Sequence, residues 1–143
     1  MSCSSKTIHY LYNLDYDHSS INSSLVRWYN KLLDKAVSEL DVTDVSKMIR
    51  QDILKEVAVD KAICLFMDNP YAGEMQDGDL LSLLLSVAPN SLVTTNNYEH
   101  MLVFTTLIES DYLHFEWQNI ECRDKFAENI KYLKRLCCYN HNR

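Results

Sequence analysis

Two glycines and two prolines in 143 residues constrain this chain more than any other feature. Average usage is about 7% for glycine and about 5% for proline, and many-stranded sheets need turn residues at short intervals. A chain so short of both favours long helices. Gly73 and Gly78 alone can build neither GxGxxG nor GxxxxGK[ST], which excludes Rossmann and P-loop nucleotide chemistry. With 47% hydrophobic and 24% charged residues the chain has the make-up of an ordinary globular domain. At this length folding removes roughly 68–70% of the unfolded surface from water, so no disulfide or metal staple is required. The expected fold is mainly α: one compact helical bundle over residues 1–143, of about five to seven helices, with a short extended N-terminal segment.

Hydrophobic spacing places the helices. Ile21, Leu25, Trp28, Tyr29, Leu32, Leu33, Ala36 and Leu40 share one helical face, Trp28 among the core residues, with Ser19 or Ser20 in front as N-cap. Thr43 can cap a second helix over 44–51, with Asp44 in its first turn. A third, over 53–68, is apolar on most of its circumference and should cross the core, so Cys64 between Ile63 and Leu65 reads as buried. Asn69-Pro70 ends it, because the residue before proline is pushed out of the α region. The segment YAGEMQDGD concentrates turn chemistry, and Asp79 at its end reads as N-cap of LLSLLLSV, which Pro89 stops. Asn96 and Glu99 have capping-box spacing for a helix to about Ser110, although Val103, Thr105, Thr106 and Ile108 also suit a strand. YLHFEW (112–117) fits a strand or a helix-linking turn. Phe126, Ile130, Leu133 and Cys137 mark a final helix, and TIHYLYNL (7–14) reads as the extended segment.

Charge is distributed unevenly. The net charge is −6, yet residues 1–50 are balanced and residues 122–143 are net positive. Residues 62–121 contain no lysine or arginine and nine acids: Asp68, Glu74, Asp77, Asp79, Glu99, Glu109, Asp111, Glu116 and Glu121. Such a stretch repels phosphate backbones and attracts cationic proteins, which argues against direct nucleic-acid binding through the middle of the chain. The basic tail reads as a solvated helix face that pairs with the acidic region.

Catalytic and metal chemistry find little support. Cys3, Cys64, Cys122, Cys137 and Cys138 form no CxxC pair and suit a reducing compartment as free thiols. The five histidines form no i, i+4 pair, and only Cys137-Cys138-x-x-His141 gathers ligand types locally. Adjacent cysteines point in different directions on a helix, so neither a metal nor a cofactor is expected. No GxSxG elbow is present, and Asp77 and Asp79 have turn and capping roles, so the chain reads as a binding protein and not an enzyme. No apolar run reaches 18 residues and the N-terminus lacks a signal-peptide pattern, so a cytoplasmic protein without membrane contact is expected.

The segments LVRWYNKLLDKAVSELDVTDVSKMIRQDI and AICLFMDNPYAGEMQDGDLLSLLLSV stand in an order that resembles the immunity proteins of bacterial contact-dependent growth inhibition systems. The likeness covers about residues 8–87. It is carried by Leu40-x-x-Thr43-Asp44-Val45, Ile49-x-Gln51, Asn69-Pro70 and Gly78-Asp79-Leu80-Leu81. The resemblance implies a small cytoplasmic protein that binds and neutralises the C-terminal toxin domain of a large effector, such toxins often being nucleases. A nuclease groove is basic, and a cation-free acidic face would complement it. The motif positions read as caps, helix stops and core leucines, so binding falls to exposed positions elsewhere. Asp68, Tyr71, Glu74, Asp77, Asp111, Glu116 and Trp117 are the expected partner-binding residues, with Tyr71 and Trp117 as aromatic anchors beside the acids. The rival reading is an acidic helical adaptor or regulatory protein that binds some other basic protein.

Overall fold

The structure, a computed structural model, describes residues 6–19 and 23–141. Among them are eight α-helices: α1 (Ile8–Tyr12), α2 (Ser24–Leu33), α3 (Val42–Arg50), α4 (Lys55–Asp68), α5 (Asp79–Val87), α6 (Pro89–Leu92), α7 (Tyr98–Asp111) and α8 (Ile120–His141). Two 3-10 turns, Val37–Glu39 and Tyr112–His114, complete the regular structure. Helix α5 lies at the centre with Leu80, Leu81, Leu84 and Leu85 buried, packed on α4 and α8. Helices α7 and α8 pack along each other on one side, and α3 and α4 on the other. Phe66, Met48, Phe126, Ile130 and Leu133 fill the space between. The mainly helical expectation holds with one helix more than the expected range, and the two helices that no spacing marked are the short α1 and α6.

Those two arise from local capping. The Thr7 hydroxyl accepts from the Tyr10 amide and Ile8 is fully buried, so the N-terminal segment expected to be extended winds into a helical turn. Only Thr7 keeps an extended role, in an isolated antiparallel bridge with Ala36. Pro89 ends α5 and at the same time opens α6 from its first helical position, where its missing N–H costs nothing.

Several helix ends also move. Helix α2 starts at its Ser23 cap and stops at Leu33, because Lys35 offers its carbonyl to Ile8 N (2.8 Å) and Ala36 turns to meet Thr7. Ala36 and Leu40 stay buried without being helical, which is why the apolar pattern ran past the helix. Ser20 and Ile21 lie outside the described residues. Asp41, not Thr43, caps α3: Asp41 accepts from the Asp44 amide (2.9 Å) while Asp44 accepts from the Asp41 amide (3.2 Å). Helix α4 starts at Lys55, since Asp52 and Leu54 both take left-handed backbone angles. It buries only the Ala58, Val59, Ala62 and Phe66 face. Cys64 lies about 200° around the helix from Ala62 and is exposed, contrary to expectation. Residues 98–111 are helical and not a strand, opened by a reciprocal pair in which Asn97 accepts from the Thr94 amide (2.7 Å) and Thr94 from the Asn97 amide (3.2 Å). The 112–117 segment is the helix-linking turn.

Candidate functional site

Two loops meet at one end of the bundle: residues 69–78, between α4 and α5, and residues 112–119, between α7 and α8. The first depends on both glycines. A Cβ on Gly73 would lie 1.8 Å from the Gln76 carbonyl oxygen. Gly78 has φ +80°, and a Cβ there would lie 2.8 Å from the Phe126 ring. Asp79, expected as the α5 cap, instead sits inside the helix and turns its carboxylate back on the loop. It accepts from the amides of Glu74 (2.8 Å), Met75 (3.1 Å) and Gln76 (2.9 Å). Gly78 is the capping residue. A carboxylate that accepts from three amides pins the loop through charge-assisted hydrogen bonds.

Four aromatic rings join the loops. Tyr71 stacks on Phe115 (centroids 4.3 Å apart, 21° between planes) and meets Trp117 edge-on at 5.5 Å. Phe126 of α8 closes the cluster from beneath, 5.3 Å from Tyr71 and 5.0 Å from Trp117. Trp117 Nε1 donates to the Tyr112 carbonyl (2.8 Å). Tyr71 donates its hydroxyl to Asp111 Oδ2 at 2.6 Å. Burial first, then the hydrogen bond to Asp111 and its charge, push the Tyr71 hydroxyl far above its ordinary pKa, so it remains a donor. Across the same seam Asp77 Oδ2 accepts from the Gln118 amide (3.2 Å), and Gln118 Oε1 accepts from the Asp77 amide (2.9 Å).

The structure therefore brings Tyr71, Asp77, Asp111 and Trp117 together, with Glu116 exposed on the second loop and Asp68 exposed at the end of α4. Tyr71 and Trp117 are half-buried and act as the platform that places the acids. Glu74 is placed differently: its side chain is 7% exposed and lies against the Arg50 guanidinium of α3, 2.5 Å away. Glu109 pairs with Lys134 at 2.7 Å. Cations from outside residues 62–121 thus neutralise two of the nine acids, while among the described residues none of Asp68, Asp77, Asp111 and Glu116 enters an ion pair. Gln118 and Phe126 are members of the site that the sequence did not single out. Phe126 carried only a core-helix signal, and Gln118 carried none.

Among the described residues no group of three or more His, Cys, Asp or Glu side chains is arranged to hold a metal ion, and no helix is long and apolar enough to cross a membrane. Cys137 is buried and its thiol is pushed up to about 11, chiefly by that burial, which leaves it inert as a nucleophile. Cys138 beside it is exposed.

Acids held in fixed directions by neutral donors at one end of the bundle present charge that a cationic protein could meet. Residues 10–102 match the family of CDI immunity proteins. The match covers well over half of the chain, and the chain belongs to that family, whose function is immunity. It includes the α3 capping box, the Asn69-Pro70 stop, the first loop of the site and the first turn of α7. No curated protein and no solved structure matches the chain at a significant level.

Proposed function

We propose that this protein binds and neutralises, in the cytoplasm, the cognate C-terminal toxin domain of a contact-dependent growth inhibition effector, without turnover of its own. Its acidic end covers a basic groove on that domain. The groove is that of a nuclease, where lysines and arginines would otherwise hold phosphates. The observation that carries this reading is the pattern of neutralisation. Glu74 and Glu109 are paired with cations inside the molecule, whereas Asp68, Asp77, Asp111 and Glu116 stay outside every ion pair among the described residues. Tyr71 and Gln118 orient two of them with neutral donors, which leaves their charge for a partner. Of the seven expected binding residues, Asp68, Asp77, Asp111 and Glu116 then make the contact. Tyr71 and Trp117 build the platform, and Glu74 anchors its loop through Arg50. Protection from an enzyme lethal at low copy number calls for nanomolar affinity, about −12 kcal/mol, and a standard interface of about 1,600 Å². Four acids are therefore the steering rim of a larger footprint.

The test is survival. The C-terminal domain encoded immediately upstream is expressed with and without this chain, and colonies are counted. Rescue by this chain and not by a non-cognate immunity protein is the expected result. A domain that is harmless alone, or that kills regardless of this chain, would return the protein to the adaptor reading.

A further inference from the structure

Apolar residues are spread around the circumference of helix α7, between Glu99, His100, Thr106, Glu109 and Asp111, and do not gather on one face. Here only part of it is covered. Met101, Thr105 and Ile108 are buried, yet Val103 and Leu107 are each 62% exposed. Met67, at the end of α4 and 37% exposed, faces them across a shallow groove of about 420 Å³ that Glu99, His100 and Phe104 also line. The groove has a rigid floor, because the Phe104 ring stands edge-on to the fully buried Phe66 at 5.4 Å. Acids border it. Glu99 lies at one end, Asp68 follows Met67 directly, and Asp111 lies one helical turn past Leu107, where it meets Tyr71. No lysine or arginine lines it.

We infer that this groove is the apolar centre of the toxin interface and receives an apolar side chain presented between lysines or arginines. The inference rests on the inhibitor reading above and supplies the part of the footprint that the four acids leave unfilled. Interfaces of this kind have a dry apolar core and a polar rim, and energy concentrates in the core while charge governs encounter. The α4–α7 groove and the acidic end form such a pair on one continuous surface, joined at Asp111. Charge also selects the occupant. A second copy of this chain docked symmetrically would bring Asp68, Glu99 and Asp111 against the same acids, a like-charge arrangement that disfavours it. A cationic partner meets no such barrier.

The experiment compares the wild type, Val103→Ser/Leu107→Ser, Leu107→Lys and, as control, Leu25→Ser on α2. Each is taken as full chain through the survival assay, surface-immobilised toxin-domain binding, thermal melting and sedimentation. The changed side chains are exposed, so melting should stay close to wild type. The double variant should bind at least about 30-fold more weakly, mainly through faster dissociation, with Leu107→Lys weaker still and Leu25→Ser unchanged. If the wild type rescues and binds but the double variant binds within about 2-fold of it, the groove is not the centre and the inhibitor reading stands without it. If the wild type sediments as a dimer that the double variant dissolves, while toxin affinity is unaltered, a second copy is the occupant and the inference is wrong. If the wild type neither rescues nor binds, the inhibitor reading falls and takes the groove's assignment with it.

Discussion

Asp44 in α3 and Asp111 at the end of α7 are both aspartates held in place by hydrogen bonds, in surroundings of opposite kind. Asp44 is buried and accepts from the Lys35 ammonium (2.6 Å), Trp28 Nε1 (3.0 Å) and the Asp41 amide. Asp111 is exposed and accepts from a phenol. At Asp44 the fold brings a cation from α2's end onto the carboxylate, and the charge is consumed in holding α2, α3 and the intervening turn together. At Asp111 and Asp77 it supplies neutral donors, Tyr71 and Gln118, which fix direction and leave the charge uncompensated. The same residue type thus serves stability where its partner is charged and recognition where its partner is neutral.

The contrast can be broken most forcefully at Asp44. Asp44→Ala removes a capping-box member and leaves the half-buried Trp28 N–H and the Lys35 ammonium without their acceptor, so stability measured by urea unfolding should drop by about 2 kcal/mol. The same site gives a pH signature. Burial raises the Asp44 pKa, but hydrogen bonds from Lys35, Trp28 and the Asp41 amide, with the Lys35 charge, outweigh it and hold the carboxyl below its ordinary value. A depressed carboxylate contributes stability above its unfolded pKa of about 3.9 and loses it as pH falls through the lower native value. Acid titration of wild type against Asp44→Asn should therefore show the two stabilities converging below about pH 4. Equal acid sensitivity of the two would refute the assignment.

At the open end the effects should fall on association. Asp68→Lys/Glu116→Lys should leave stability within about 0.5 kcal/mol but slow toxin binding about 10-fold at low salt and flatten its salt dependence. An unchanged on-rate would mean that the wrong face has been assigned. Tyr71→Phe keeps the ring on Phe115 and removes only the donor to Asp111, so a loss of about 1 kcal/mol in stability is expected by thermal melting. The smallest effect belongs to Glu109→Gln, which breaks a partly exposed pair with Lys134 and should cost less than about 1 kcal/mol.

Much of the helical frame was legible because helix signals are local. Leu80, Leu81, Leu84 and Leu85 announced the central helix, and Asn69-Pro70 announced the end of α4. Boundaries shifted where a more distant group intervened: Thr7 drew Ala36 out of α2, and the Thr94–Asn97 exchange displaced the Asn96 cap expected for α7. Cys64 was misplaced because its chain neighbours Ile63 and Leu65 masked the stronger signal of Asp60, Lys61 and Asp68, which share its face one helical turn away. The acids of the site were visible as a run without lysine or arginine. Their fate was not, since Arg50 reaches Glu74 and Lys134 reaches Glu109 across 24 and 25 positions of the chain.

By itself the sequence determined that this protein is helical, that its middle is acidic, and that its motifs follow the order of an immunity protein. Each of these properties is set by residues close together along the chain. Tertiary structure alone decided which acids keep their charge, that Tyr71 meets Asp111 forty residues away, and that α7 leaves Val103 and Leu107 uncovered. Those outcomes depend on which helices pack against which, and an apolar residue at helical spacing reads the same whether or not a neighbour arrives to cover it.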